Sequence, residues 1–257
     1  MNAEVLLMFT MDVDRAYLYA HPERELDSDE AARYQQLISQ RSQGVPSQYI
    51  TGHQEFWGMD FIVSPAVLIP RPETEHLIET VLPLAAGIKT PRIVDVGTGS
   101  GCIALALARE LPNAEIHATD VSPDALEIAE ANAARHQLGS RIQFHDTNLL
   151  QGLGSGTFDF VVSNPPYVGE SEEDQVQLEV RKFEPRGAVF AGPTGLEVIE
   201  RLIPEAHFAL KPEGWLVMEI SGSIAKGVER LLGDWRQLQI LSDLQGIARV
   251  AAARNPS

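Results

Sequence analysis

From Arg92 onward, short apolar runs alternate with helical stretches, and this alternation restricts the fold more than any other feature of the sequence. Strands are expected at 93–96, 115–119, 142–145, 158–163, 215–220 and 238–243, and helices at 102–110, 122–135, 195–210 and 224–233. In the third of these helices Leu196, Ile199, Ile203, Ala206 and Leu210 keep an i, i+3, i+4 stripe, and Pro204 is expected to kink it. The segment from Ile247 to Ala252 is a candidate last strand. Such alternation builds an α/β fold with a parallel, doubly wound sheet. Open sheets of this kind bind ligands outside the carboxyl ends of their strands, so the residues just after each strand carry the functional information.

The part before Arg92 reads differently. Residues 1–50 look helical, and Asp27-Ser28-Asp29-Glu30 makes a helix start with carboxylates where the dipole favours them. Tyr34, Leu37 and Ile38 then share one face, and Gly44 closes the helix. Gln48 to Val63 reads as a hairpin turning near Trp57-Gly58-Met59. Arg71-Pro72-Glu73-Thr74-Glu75 opens another helix, with proline early and two glutamates in the first turn. The expected division is a helical domain over 1–50, a hairpin linker over 51–70 and an α/β domain over 71–257.

The first strand of the alternating region ends in Asp95-Val96-Gly97-Thr98-Gly99-Ser100-Gly101, and a helix follows at once. Glycines allow a tight turn and a close approach of backbone to a ligand. The spacing is not G-x-G-x-x-G: the third glycine of a dinucleotide fold would stand where Cys102 stands, which disfavours NAD or FAD. No lysine follows, so a Walker-type phosphate loop is absent. The next strand ends in Asp120, where a carboxylate accepts from both ribose hydroxyls of a nucleoside or else caps the following helix, a task for which Ser122 competes. A nucleoside without pyrophosphate at a glycine loop points to S-adenosylmethionine.

The strand over 158–163 ends in Asn164-Pro165-Pro166-Tyr167. Two prolines fix φ and remove two donors, so the chain leaves the sheet in one stiff shape with free carbonyls. Asn164 adds a carbonyl and an NH2 group, and Tyr167 an aromatic face. A planar NH2 group, amide or exocyclic base amine, fits between such acceptors and such a ring. The same tetrapeptide also reads as an ordinary strand-ending turn.

Composition sets limits. The chain has 257 residues, 44% apolar and 22% charged, with a formal net charge of −16. No Lys/Arg run offers the phosphate-neutralising surface of a duplex binder. The single cysteine, Cys102, excludes an internal disulfide and a multi-cysteine zinc site, and it reads as a small apolar core residue. The seven histidines show no paired ligand spacing, so no metal is expected. Met1-Asn2-Ala3-Glu4 lacks the basic start of a secretory signal, and no apolar run is long enough for a membrane span. A cytoplasmic monomer is the expectation. The tryptophans at 57, 215 and 235 read as core fillers.

These motifs together resemble the HemK/PrmC-type protein-(glutamine-N5) methyltransferases, from about Ala16 to Arg249. The resemblance rests on Pro46 through Gly52, Leu68-Ile69-Pro70-Arg71-Pro72-Glu73-Thr74-Glu75, the glycine loop, Thr119-Asp120, Ser163 through Tyr167, Glu184-Pro185-Arg186 and Asp243-Leu244-Gln245-Gly246. Asn-Pro-Pro-Tyr alone is shared with adenine-N6 and guanine-N2 nucleic-acid methyltransferases. The block from Leu68 to Glu75 is more specific and has the release-factor form.

The resemblance implies a class I, Rossmann-like methyltransferase with a mostly parallel seven-stranded sheet and a small N-terminal helical domain. It implies methyl transfer from S-adenosylmethionine to the glutamine of the Gly-Gly-Gln motif in class-I peptide chain release factors. Gly97, Thr98, Gly99, Ser100 and Gly101 would then hold the methionine part of the cofactor, Asp120 the ribose, and Val121 and Leu149 the adenine. Asn164 and the Pro165 carbonyl would accept from the substrate NH2, with Pro166 and Tyr167 packing the glutamine side chain. Arg71 would meet a cofactor carboxylate or substrate carbonyl, or else pair with Glu73 or Glu75; Glu184 and Arg186 would belong to a lid or brace each other.

Three departures from the family pattern stand out. Asn148-Leu149 replaces an acidic-aromatic pair, Ile220-Ser221-Gly222 carries an extra serine, and a helix usual before the equivalent of Ala3 is not evident. Two other functions compete. A nucleic-acid amino-methyltransferase should show a basic face near Asn164, and a non-catalytic cofactor-binding adaptor should have lost Asn164 or the glycine loop.

Overall fold

A computed structural model describes residues 2–256. The chain begins with helices α1 (Asn2–Met11), α2 (Arg15–Ala20), α3 (Ser28–Ser42) and α4 (Ser47–Thr51). The start of α3 is a capping box: Asp27 accepts from the Asp29 and Glu30 amides, and Glu30 accepts from the Asp27 amide. Leu37 is buried on its inner face, with Tyr34 and Ile38 half-buried beside it. The stretch 48–51, expected as the first hairpin strand, is instead α4; Gly52, at φ 78°, ends the helix and lets the strand begin one residue later.

The hairpin itself is β1 (His53–Phe56) and β2 (Met59–Ile62), with Phe56 paired to Met59. Its two-residue loop needs positive φ at both positions. Gly58 (φ 62°) supplies one at no cost; Trp57 (φ 52°) is held there by its amide donating to Glu75 and its indole N–H to Glu110. A 3-10 turn (Pro72–Thr74) then opens α5 (Glu75–Ala85).

The α/β region follows in order: β3 (Arg92–Val96), α6 (Cys102–Glu110), β4 (Glu115–Asp120), α7 (Pro123–Arg135), β5 (Ile142–Asp146) and β6 (Phe158–Ser163). After it come β7 (Val168–Gly169), α8 (Leu178–Phe183), α9 (Arg186–Val189), β8 (Phe190–Gly192), α10 (Glu197–Ala209), β9 (Leu210–Glu219), α11 (Ala225–Leu231), β10 (Arg236–Ser242) and β11 (Ala248–Arg254). Seven strands form one sheet in the order β10-β11-β9-β6-β3-β4-β5. β5, β4, β3, β6 and β9 are mutually parallel, and β11 runs antiparallel between β9 and β10. β9 starts at Leu210 rather than 215, because the chain pairs with Phe158 as soon as α10 ends.

Both faces of the sheet are covered, as parallel strands require. One core packs β3, β4 and β6 against α5, α6 and the hairpin through Phe56, Phe61, Leu77, Ile78 and Phe160. The other packs α10 and α11 through Ile199, Leu202, Val228 and Leu216. Cys102 lies in the first core, and burial pushes its thiol up to about 12. Trp57, Trp215 and Trp235 only flank the cores, so the expectation of core fillers holds in part. No helix among the described residues is long and apolar enough to cross a membrane.

Candidate active site

β3 stands where strand order reverses, with β4 on one side and β6 on the other. A cavity of about 400 Å³ opens at the carboxyl ends there, lined by Gly97, Thr98, Gly99, Ser100, Asp120, Val121, Leu149, Asn164 and Pro166 among others. Its size is in the range that encloses a small organic ligand.

The glycine loop is shaped by three positive-φ glycines, Gly97 (72°), Gly99 (55°) and Gly101 (81°). They do different jobs. A Cβ on Gly101 would come within 2.8 Å of Leu105 and 3.2 Å of Ala129, so this glycine lets α6 and α7 close up. A Cβ on Gly97 or Gly99 would meet nothing within 4 Å. There the chain leaves room for something to lie against the backbone.

The loop is not a phosphate cradle. The Gly97 and Thr98 amides both donate to the Thr119 carbonyl (2.9 Å each), and the Gly101 amide to the Thr98 carbonyl (2.8 Å). The Gly99 amide donates to the Asp120 carboxylate (2.9 Å). An anion needs free N–H groups, and these four are taken. Beneath the loop, wholly buried Asp95 accepts from the Thr98 hydroxyl (2.6 Å) and the Ala104 amide (3.2 Å), while its Oδ1 has no partner. Burial pushes its carboxyl up to about 7.

Asp120 does not cap α7. Ser122 does, accepting from the Ala125 amide. Each Asp120 oxygen accepts one backbone N–H, from Gly99 (2.9 Å) and Ser122 (3.0 Å), and keeps a second lone-pair direction. Leu149 takes φ 53°, and Asn148 accepts from Arg201 (2.9 Å), so the substituted pair forms an apolar side chain beside a fixed amide on the cavity wall.

Asn164, Pro166, Arg71 and Leu68 also line a second cavity, of about 540 Å³, which adds Pro165, Tyr167, Glu219 and Arg249. With Ala188, which also lines both, these residues form the neck between the two spaces. Asn164 Nδ2 donates to Thr74 Oγ1 (3.1 Å), Thr74 donates to Glu219 Oε2 (2.6 Å), and the Tyr167 hydroxyl donates to Glu219 Oε1 (3.0 Å). Thr74 and Glu219 are each 2% exposed. Burial raises the carboxyl of Glu219 above its ordinary range and the Tyr167 phenol above its own.

Two pairings differ from expectation. Arg71 pairs with Glu184 rather than with Glu73 or Glu75, and Glu75 instead accepts from the Trp57 amide (2.8 Å); Glu184 also accepts from the Ile69 amide (3.2 Å). Arg186 pairs with Glu173 (2.8 Å), so Glu184 and Arg186 do not brace each other. Asp243 accepts from the Gln245 and Ile247 amides and pairs with Arg249 (2.9 Å), making the last matching block a turn that delivers Arg249 to the second cavity. Among the described residues no group of three or more His, Cys, Asp or Glu is placed to hold a metal ion.

Glu219 and Asn132 were missed in the sequence. Glu219 had a signal, a carboxylate directly after the apolar run Trp215–Met218. Asn132, wholly buried on α7, had none: it accepts from the Ile62 amide (2.7 Å) and donates to the Ile62 and Ser100 carbonyls (3.0 and 2.9 Å).

The methyltransferase small domain matches residues 73–182, and the PrmC N-terminal domain matches residues 1–52. The chain is 54% identical over 258 residues to the release factor glutamine methyltransferase of Koribacter versatilis (strain Ellin345), spanning 100% of this chain and 91% of that one. It is 42% identical to the release factor glutamine methyltransferase of Moorella thermoacetica (strain ATCC 39073 / JCM 9320), over 96% of this chain and 88% of the relative. The structure of the N-terminal domain of human METTL16 in complex with SAH is similar with a TM-score of 0.53 at 21% identity, covering 77% of this chain and 76% of that one, a likeness of fold alone. With the reversed strand order, the cavity above it and identity along the whole chain, this protein belongs to the release factor glutamine methyltransferase family.

Proposed function

We propose that this protein methylates the side-chain amide nitrogen of the glutamine in the Gly-Gly-Gln motif of class-I peptide chain release factors, using S-adenosylmethionine. The observation that carries the reading is the neck: Asn164 and Pro166 line both the glycine-loop cavity and the second cavity, so a donor in one space meets an acceptor in the other beside Asn164.

The first cavity fits the proposed donor. Gly97 and Gly99 leave backbone clear where a Cβ would intrude, and Asp120 keeps lone pairs for the two ribose hydroxyls. The spent loop amides argue against a phosphate and suit an uncharged or cationic group instead. Val121, 67% exposed, and Leu149 offer apolar surface to an adenine. When bound, S-adenosylmethionine supplies a methyl group activated by its bond to positively charged sulfur.

An amide nitrogen is a weak nucleophile because its lone pair is delocalised. Asn164 Oδ1 and the Pro165 carbonyl are assigned to accept the two N–H bonds of the substrate, which orients the nitrogen and stabilises positive charge as it develops there. Tyr167 packs the glutamine stem, and the proton leaves to water. Side chains in the second cavity give no excess of positive charge: Arg71 is paired with Glu184 and Arg249 with Asp243. That supports a protein substrate over a nucleic acid. Residues 1–50 are assigned to docking the release factor, 51–70 to linking, and 71–257 to catalysis.

The test is incubation of the purified protein with radiolabelled S-adenosylmethionine and a release factor, beside its Gly-Gly-Gln variant with Gln→Ala. Label in the intact motif alone is the expected result; equal label in both sinks the assignment of the target atom.

A further inference from the structure

The amide of Asn164 is nearly symmetric in shape, and nothing steric makes its oxygen, rather than its nitrogen, face the substrate. A buried chain of hydrogen bonds settles the choice. Glu219 ends β9 one residue beyond the Ser163–Met218 register pair, so it and Asn164 leave neighbouring parallel strands side by side. Thr74 comes from the 3-10 turn ninety residues earlier and sits between them.

An ionised carboxylate only accepts. Thr74 must therefore give its one hydroxyl proton to Glu219 Oε2, at 2.6 Å. Its oxygen is then left as an acceptor, and the group opposite must donate. Asn164 meets that demand only with Nδ2 turned inward, as observed at 3.1 Å, which turns Oδ1 outward. Flipping the amide would set two oxygens against each other and leave the buried Thr74 oxygen without a donor. The other oxygen of Glu219 accepts from the Tyr167 hydroxyl at 3.0 Å, so the same carboxylate fixes the aromatic wall.

We propose that Glu219 is a positioning residue that, through Thr74, sets the polarity of Asn164 so that its carbonyl oxygen faces the substrate amide, while its second oxygen holds Tyr167. This rests on the reading of Asn164 as the acceptor for the substrate NH2. The charged and titratable neighbours of Glu219 are Tyr167, Glu73 and Cys102, and Arg249 with its partner Asp243. Burial favours the protonated form, with Glu73 adding to it, and the hydrogen bonds from Thr74 and Tyr167 and the charge of Arg249 oppose it. A protonated Glu219 can donate to Thr74, which frees the threonine proton to point at Asn164 and reverses the chain. Turnover therefore falls as pH drops through a value above the ordinary carboxylate range.

Methylation of a release factor at saturating substrates, with S-adenosylmethionine affinity measured by calorimetry, tests the inference. Thr74→Val keeps the shape and removes the relay; kcat is expected to fall by roughly 10- to 100-fold, with Kd for the donor unchanged. Thr74→Ser restores the hydroxyl and recovers most of that loss. Glu219→Gln is expected to lower kcat and to flatten the acid limb seen in the wild type. A wild-type kcat in Thr74→Val, equal impairment in Thr74→Val and Thr74→Ser, or an unchanged acid limb in Glu219→Gln overturns the inference. Should Glu219→Gln fail to fold, the Thr74 pair decides alone. A fully active Asn164→Ala overturns instead the reading beneath it.

Discussion

The guanidinium of Arg71 closes on the carboxylate of Glu184, 113 residues further along the chain. Glu184 is buried, with its side chain 1% exposed, whereas Arg71 remains 33% exposed. The pair ties the segment before α5 to the long connection after β6, and both flank the neck between the cavities. Removing Arg71 would strand a buried charge. Arg71→Met is expected to cost about 3 kcal/mol, at the low end for a broken buried pair because Arg71 is partly solvated. A urea midpoint unchanged from wild type would refute this; Arg71→Met combined with Glu184→Gln should regain part of the loss.

Asp120 is assigned to the ribose, and it also holds the Gly99 amide. Asp120→Ala removes charged acceptors worth about 1.5–3 kcal/mol each. Donor affinity should weaken by roughly 10- to 100-fold by calorimetry. Affinity equal to wild type would place the nucleoside elsewhere.

Asn132 joins the hairpin, through Ile62, to the glycine loop, through Ser100. Asn132→Ala leaves three backbone groups without partners in a wholly buried site. The expected cost is about 3 kcal/mol, or a drop in Tm of roughly 6–12 °C for a chain of this size. A thermal scan showing a drop of less than about 2 °C would mean that water replaces the side chain.

Stability should depend on pH through Asp95. Its carboxyl is raised from 3.8 to about 7 by burial, against hydrogen bonds from Thr98 and Ala104. The folded state thus holds the proton more tightly than the unfolded chain does. The stabilisation is complete below the unfolded pKa and is lost as pH rises through about 7. Relative to Asp95→Asn, which stays neutral, the wild type should lose up to roughly 4 kcal/mol between about pH 4 and pH 8. Parallel urea midpoints for the two proteins across that range would show that Asp95 ionises freely.

Much of the fold was legible because its signals are local. Helix 102–110 was placed without error, and 122–135 differed by one residue, since Ser122 caps α7 rather than joining it. Local signals failed at α4, where Ser47–Thr51 carries β-compatible residues and the packing of α1 and α3 holds it helical. They failed again for the partners of Arg71 and Arg186, because several carboxylates lie within reach along the sequence and only the path of the connection after β6 selects among them.

By itself, the sequence determined the layered α/β architecture, the glycine loop, the stiff Asn164–Tyr167 turn and the family to which these belong. Each depends on spacing within a few residues, where chain geometry leaves little choice. Only the tertiary structure decided which way Asn164 faces. That depends on Thr74 and Glu219, which are far apart in sequence and meet almost fully buried, where each donor must find an acceptor and one fixed charge orients the rest.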